Sequence, residues 1–248
     1  MWLFFIMKTH VDYHTMIEPN SLFQAWKEFR LGKGKRLDVQ EFERYLEDNL
    51  FDLHKSLEKK TYRHGGYHAF YVQDPKRRHI HKAQVKDRIV HHLLYQYLYS
   101  LFDKTFIYDS YSCRVEKGTH KGVERLAQFS RIVSRNYSST CWALKCDIRK
   151  FFASVDHQIL LTLLKDKKED SDILWLLSQI IDSFQSDRGK GSGIPLGNLT
   201  SQVFANIYMN ELDQFVKHTL KIKYYIRYAD DFVLLSNNKD DLLKLIDP

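Results

Sequence analysis

Apolar residues along the chain follow two periods, one near 3.6 and one of 2, and the changes between them mark out the elements. Over 37–60 the apolar positions are Val39, Phe42, Leu46, Leu50, Leu53 and Leu57, a spacing that predicts one amphipathic helix. A turn at 63–66 follows, then an alternating run at 67–72 that predicts a strand ending at Asp74-Pro75. Ile89, Leu93, Leu94, Tyr97, Leu98 and Leu101 place a helix over 83–102, and Val123, Leu126, Ala127 and Ile132 place another over 119–135, capped by Thr119.

Residues 142–146 form a short apolar strand running into Asp147, and Asp156 can cap a helix to 164. Residues 171–184 are helical in pattern, and Asn198 or Thr200 opens a long helix toward 220. The period then becomes 2 over 222–228 and 232–236, with Ala229-Asp230-Asp231 between them as a tight hairpin, and 239–246 is a short helix. There are no repeats, low-complexity tracts or Pro/Gly linkers, so a continuous α+β body is expected.

Composition narrows the classes. Hydrophobic content of 44% and aromatic content of 14% exclude a disordered chain. Lys plus Arg exceed Asp plus Glu by 38 to 31, which suits a polyanionic partner. The three cysteines, Cys113, Cys141 and Cys146, have neither disulfide parity nor zinc spacing, so a reducing, cytoplasmic compartment is expected. The apolar stretch 2–7 is too short for a membrane span and lacks signal-peptide features, and Met7 is an alternative start. No membrane partner is expected.

The chemistry is concentrated in carboxylates. Asp230 and Asp231 sit at a hairpin tip between apolar flanks, where two carboxylates about 4 Å apart repel by roughly 4 kcal/mol at an effective dielectric near 20. A hard divalent cation with oxygen ligands would offset that repulsion. Asp147 ends another predicted strand, so three acids could hold two metals and activate a hydroxyl against a triphosphate without a protein nucleophile. An Asp-Asp pair alone is more often plain turn chemistry; two acidic motifs in this order on strand ends favour the metal reading.

From about residue 62 onward these motifs resemble the reverse transcriptase family. Asp147 with Phe152 resembles its first palm motif, and Tyr228 to Asp231 resembles its YxDD box. The resemblance implies a right-hand polymerase of α+β class, with an antiparallel palm sheet packed on helices. It divides the chain into a helical segment over 1–60, fingers over 61–140 and palm over 141–248. It implies Asp147, Asp230 and Asp231 as catalytic and metal ligands, with Ile148 beside them, for two Mg²⁺ ions that Mn²⁺ can replace. Phe152 stands where the family places an aromatic that excludes a ribose 2′-hydroxyl.

Residues 193–202, read as GIPLGNLTSQ, resemble the family's nucleotide- and template-contacting loop, with Leu196, Gly197 and Gln202 as substrate-binding candidates. Most members carry Gln before that glycine and Pro after that serine. Leu196 and Gln202 instead resemble diversity-generating retroelement enzymes, which misincorporate opposite adenine; losing an amide contact removes a geometry check worth about 1 to 2 kcal/mol. The basic run Lys76-Arg77-Arg78, Lys82, Lys86 and Arg88 reads by itself as a solvated face; the resemblance implies Lys76 and Arg78 as triphosphate contacts, and Arg114 and Lys117 as candidate template contacts. His79, His81, His91 and His92 lack zinc spacing and are assigned to ordinary packing ahead of surface or nucleic-acid contacts.

The implied partners are an RNA template, a DNA or RNA primer, dNTPs and a small basic helical accessory protein. A complete member continues into a thumb, so this chain is expected to lack one. Competing readings are a nucleic-acid-binding remnant without processive activity, and a group II intron or phage-defence reverse transcriptase.

Overall fold

The computed structural model describes residues 12–73, 76–167 and 170–246. The apolar stretch 2–7, Met7 and the Asp74-Pro75 turn lie outside them. In chain order the elements are α1 (Tyr13–Ile17), α2 (Pro19–Arg30), α3 (Leu37–Arg44), α4 (Leu46–Glu58), β1 (Tyr67–Gln73), β2 (Arg77–Ala83), α5 (Val85–Phe102) and α6 (Thr119–Val133). They continue with β3 (Trp142–Asp147), α7 (Phe151–Ser154), α8 (His157–Lys165), α9 (Ser171–Ile181), α10 (Leu199–Gln214), β4 (Tyr225–Tyr228), β5 (Asp231–Ser236) and α11 (Lys239–Leu243). This is the expected α+β class. Among the described residues no helix is long and apolar enough to cross a membrane.

Two compact units share these elements: Met1–Phe102 with Phe152–Phe204, and Asp103–Phe151 with Ala205–Pro248. The first is built around α2. Pro19 opens that helix where its missing N–H is harmless, and Leu22, Ala25, Trp26 and Phe29 form one buried stripe facing α5 and α4. The single helix expected over 37–60 is two: Tyr45 leaves helical geometry at φ −125° and ψ 43°. Phe42 can then stack on Trp26, with ring centroids 5.2 Å apart, while Leu50, Leu53 and Leu57 bury along α4.

The β1–β2 hairpin pairs from Tyr67↔Ala83 to Gln73↔Arg77. Next to it Asp87, fully buried, accepts from the Tyr62 hydroxyl at 2.7 Å and the Gly65 amide at 3.0 Å. Burial, followed by the charge of Asp87, drives the Tyr62 hydroxyl far above its ordinary pKa.

The second unit centres on an antiparallel sheet of order β3-β5-β4. Successive residues on β5 point to opposite faces: Leu234 packs with Val216, Tyr225 and Leu242, and Leu235 with Phe129 and Val133 of α6. The sheet is therefore covered on both sides. Thr119 is the expected cap of α6, but Gly118 holds the cap position, and the Thr119 hydroxyl bonds the Tyr228 hydroxyl at 3.1 Å. The strand expected from 222 begins at Tyr225, because the helical backbone persists through a wide turn in which Leu220 N bonds Phe215 O at 3.0 Å.

Candidate active site

Asp147 is the last residue of β3 and pairs in register with Asp231, the first residue of β5; Tyr228 pairs with Asp231 from the other side. Directly opposed residues of an antiparallel pair share a face, with Cβ atoms about 5 Å apart. The ladder therefore sets the Asp147 and Asp231 carboxylates side by side, although 84 positions separate them in sequence (231 − 147). Asp230 precedes Asp231 in the turn, after Ala229 in the left-handed region at φ +56°. Lys145 Nζ lies 3.5 Å from Asp231 Oδ1, with side chains 70% and 49% exposed, so water screens the pair.

Among the described residues no three His, Cys, Asp or Glu side chains are gathered as a ready cage. What the ladder supplies is a pair of hard oxygen donors held on one face with a third in the adjoining turn, a donor set that suits Mg²⁺ bound through carboxylates and water. The Ile148 carbonyl accepts from the Phe151 amide at 3.2 Å as the chain turns into α7. Phe152, half-buried in α7, offers its carbonyl to the Ile194 amide at 2.8 Å.

The 193–202 loop docks on the β1–β2 hairpin within the first unit. Leu196 O accepts from the His81 amide at 2.9 Å. Asn198, 3% exposed, donates from Nδ2 to His81 O at 2.7 Å and accepts at Oδ1 from the Ala83 amide at 3.3 Å. Gly197 takes φ +104°, and a Cβ there would meet Ile80 Cγ2 at 2.6 Å, so backbone comes closer to β2 than any other residue would allow. Asn198 precedes α10 as expected of a cap, but its side chain ties the loop to β2. Leu196 is half-buried, and Gln202 is exposed on α10.

Among the cationic candidates, Lys76 and Arg78 are exposed. Arg77 and Arg78 project to opposite faces of the hairpin, Arg77 lying over the Tyr71 ring at 3.9 Å. Lys82 pairs with Asp38 at 3.0 Å, and Arg88 joins the same carboxylate. The Arg114 side chain, 8% exposed, is tied into its own loop: Nε bonds Asp103 at 2.7 Å and NH1 bonds Ile107 O at 2.7 Å, which competes with the template contact expected of it. Lys117 bonds Tyr108 O at 2.9 Å and lies over that ring at 3.4 Å. His91 is buried, bonding Thr200 Oγ1 and His64 Nε2, and His92 packs edge-on against Phe29, so both serve packing.

Sequence reasoning missed a buried polar network under the acidic turn. Arg227 and Asp213, both fully buried, form a two-pronged ion pair with bonds of 2.6 to 3.0 Å. Asn206 accepts from Arg227 at 3.2 Å and donates to Ser112 O at 2.9 Å. The available signal was a cation inside the apolar strand Tyr225–Tyr228, where an unpaired charge could not stay.

Residues 66–247 match the family model described as reverse transcriptase (RNA-dependent DNA polymerase). The group II intron-encoded protein LtrA of Lactococcus lactis subsp. cremoris is 23% identical over 230 residues, covering 86% of this chain and 36% of that protein. Protein YkfC of Escherichia coli is 23% identical over 186 residues, covering 61% of this chain and 48% of that protein. The chain thus spans only about a third to a half of these relatives. Among solved structures, a partial Cas6-RT-Cas1–Cas2 complex aligns with TM-score 0.55 at 19% identity over 95% of this chain and 42% of that chain. Apo telomerase from Candida tropicalis aligns with TM-score 0.53 at 12% identity, over 77% of this chain and 49% of that chain. The last two likenesses concern the fold.

Proposed function

The chain belongs to the reverse transcriptase (RNA-dependent DNA polymerase) family, and from that premise we propose that it adds dNTPs to a primer 3′-hydroxyl on an RNA template in the cytoplasm. The register pairing of Asp147 with Asp231, beside the turn that holds Asp230, supports this reading most directly. These three acids, with the Ile148 carbonyl, are the proposed holders of two Mg²⁺ ions. Bound there, Mg²⁺ or Mn²⁺ would supply Lewis-acid activation of the primer hydroxyl and neutralise the triphosphate.

This chain's own residues do the positioning. We assign 61–140 as fingers and 141–248 as palm. Lys76 and Arg78 lower the charge of the incoming triphosphate, Arg78 through its two-pronged fork. Phe152 bars a 2′-hydroxyl by bulk. Leu196, Gly197 and Gln202 present backbone and side chains to the nascent pair, and Lys117, with Arg114 shaping its loop, meets the template strand.

Leu196 and Gln202 further favour the error-prone enzyme of a diversity-generating retroelement, with a structured template RNA and a small basic helical accessory protein as partners. The alignment to the group II intron-encoded protein LtrA favours a second reading, an intron-type reverse transcriptase. Primer extension on a defined adenine-containing RNA, followed by cDNA sequencing, separates them. Mg²⁺-dependent product with errors concentrated opposite adenine, and fewer in Leu196→Gln, is the expected result. Uniformly accurate copies sink the retroelement reading, and absence of any product sinks the polymerase reading.

A further inference from the structure

The Arg227–Asp213 pair raises a question of purpose. Replacing a buried ion pair by apolar residues of similar volume is often neutral or stabilising, so stability alone is a weak reason to bury these charges. Beyond Asp213, the side chain of Arg227 reaches two groups that no hydrophobe could serve, Asn206 Oδ1 and a backbone carbonyl of the acidic turn. Its NH1 donates at 2.9 Å to the carbonyl of Ala229, the non-glycine residue held at φ +56° immediately before Asp230. Such a conformation persists when its surroundings over-determine it.

The guanidinium has little freedom to do otherwise. Nε and NH2 are fixed on Asp213, which also accepts from the Tyr225 hydroxyl at 2.7 Å, and NH1 is shared between Asn206 and Ala229. The Arg227 backbone is fixed as well, its amide on Asp109 O at 2.9 Å and its carbonyl on the Tyr111 amide at 3.0 Å. Strand alternation sends its side chain to the face opposite Tyr228 and Asp231, so it acts on the acids only through the turn.

We propose that Arg227, anchored by Asp213, is a positioning residue that locks the Ala229 carbonyl and thereby aims the Asp230 and Asp231 carboxylates for metal binding. This rests on the reading of those acids as the metal site. Outer-shell partners of this kind typically govern metal affinity by about tenfold to a hundredfold.

Mn²⁺ titration of the full chain, followed by loss of the free-ion paramagnetic resonance signal, tests it without reference to turnover. Arg227→Lys, and a combined Tyr225→Phe, Arg227→Met and Asp213→Leu variant that replaces the network by apolar volume, should stay folded by circular dichroism. Each should need about ten times more Mn²⁺ for half-saturation, or beyond. Tyr225→Phe alone leaves the Ala229 contact in place and should bind within about twofold of the parent. Parental Mn²⁺ affinity in either folded network variant overturns the proposal. Collapse of both variants would assign the network to folding and overturn it also. Unchanged affinity in Asp230→Asn would instead bring down the metal-site reading, and the role of Arg227 with it.

Discussion

Replacing Asn198 by Ala should loosen the 193–202 loop from the β1–β2 hairpin, and the size of the effect follows from the two hydrogen bonds that the amide side chain makes. The bond from Nδ2 to His81 O at 2.7 Å contributes about 1 kcal/mol, and removing the acceptor of the Ala83 amide, in a residue 1% exposed, costs about 1 to 3 kcal/mol. The sum is roughly 2 to 4 kcal/mol. With a urea slope near 2 kcal/mol/M, the unfolding midpoint should fall by about 1 to 2 M. Asn198→Asp keeps an acceptor for Ala83 but turns an oxygen toward His81 O, so it should be destabilised at least as much at pH 7. Gln202→Ala, at an exposed position of α10, should stay within about 0.5 kcal/mol of the parent. A midpoint for Asn198→Ala within about 0.3 M of the parent, or an Asp variant as stable as the parent, would refute the reasoning.

Gly197→Ala should cost about 2 to 4 kcal/mol, because its Cβ would lie 2.6 Å from Ile80 Cγ2 at φ +104°; a thermal midpoint equal to the parent's would contradict the close approach. Burial lowers His91 well below its ordinary value and brings His92 to about 4, the latter helped by Lys33 and Arg88. The unfolded chain takes up protons near pH 6.5 while the folded chain does not, so stability should fall as pH drops from about 6.5 toward 4, by up to about 1.4 kcal/mol per pH unit for each histidine. Urea midpoints measured at pH 7.5, 6 and 5 check this, and His92→Gln should flatten the trend.

Period and punctuation made most elements legible, because amphipathic spacing and Asx caps act locally: Asp156, expected to open a helix, accepts from the Ile159 amide at 2.9 Å. The break at Tyr45 was not legible, since it follows from Phe42 reaching Trp26 on another helix. The acids could be picked out as candidates, yet their adjacency depends on the β3–β5 register, which is long-range. Asn198 and Arg227 were harder still. A helix-cap residue and an isolated cation have ordinary local readings, and only the groups they meet, His81 and Ala83 for one, Asp213 and Ala229 for the other, give them their roles. Arg114 shows the converse, a cation with the right chemistry for nucleic acid but with its guanidinium bound inside its own loop.

The claim that the acids share divalent cations is tested most directly by RNA-templated single-nucleotide extension with Asp147→Asn, Asp230→Asn and Asp231→Asn, each compared with the parent over a range of Mg²⁺. Asp147 and Asp231 are surface-accessible neighbours on one ladder, so these changes should leave thermal midpoints nearly unmoved. The account predicts that each variant loses about a hundredfold to a thousandfold in rate, as removal of one preorganised charge-stabilising group does. A folded Asp147→Asn chain that extends primers at the parental rate would contradict it.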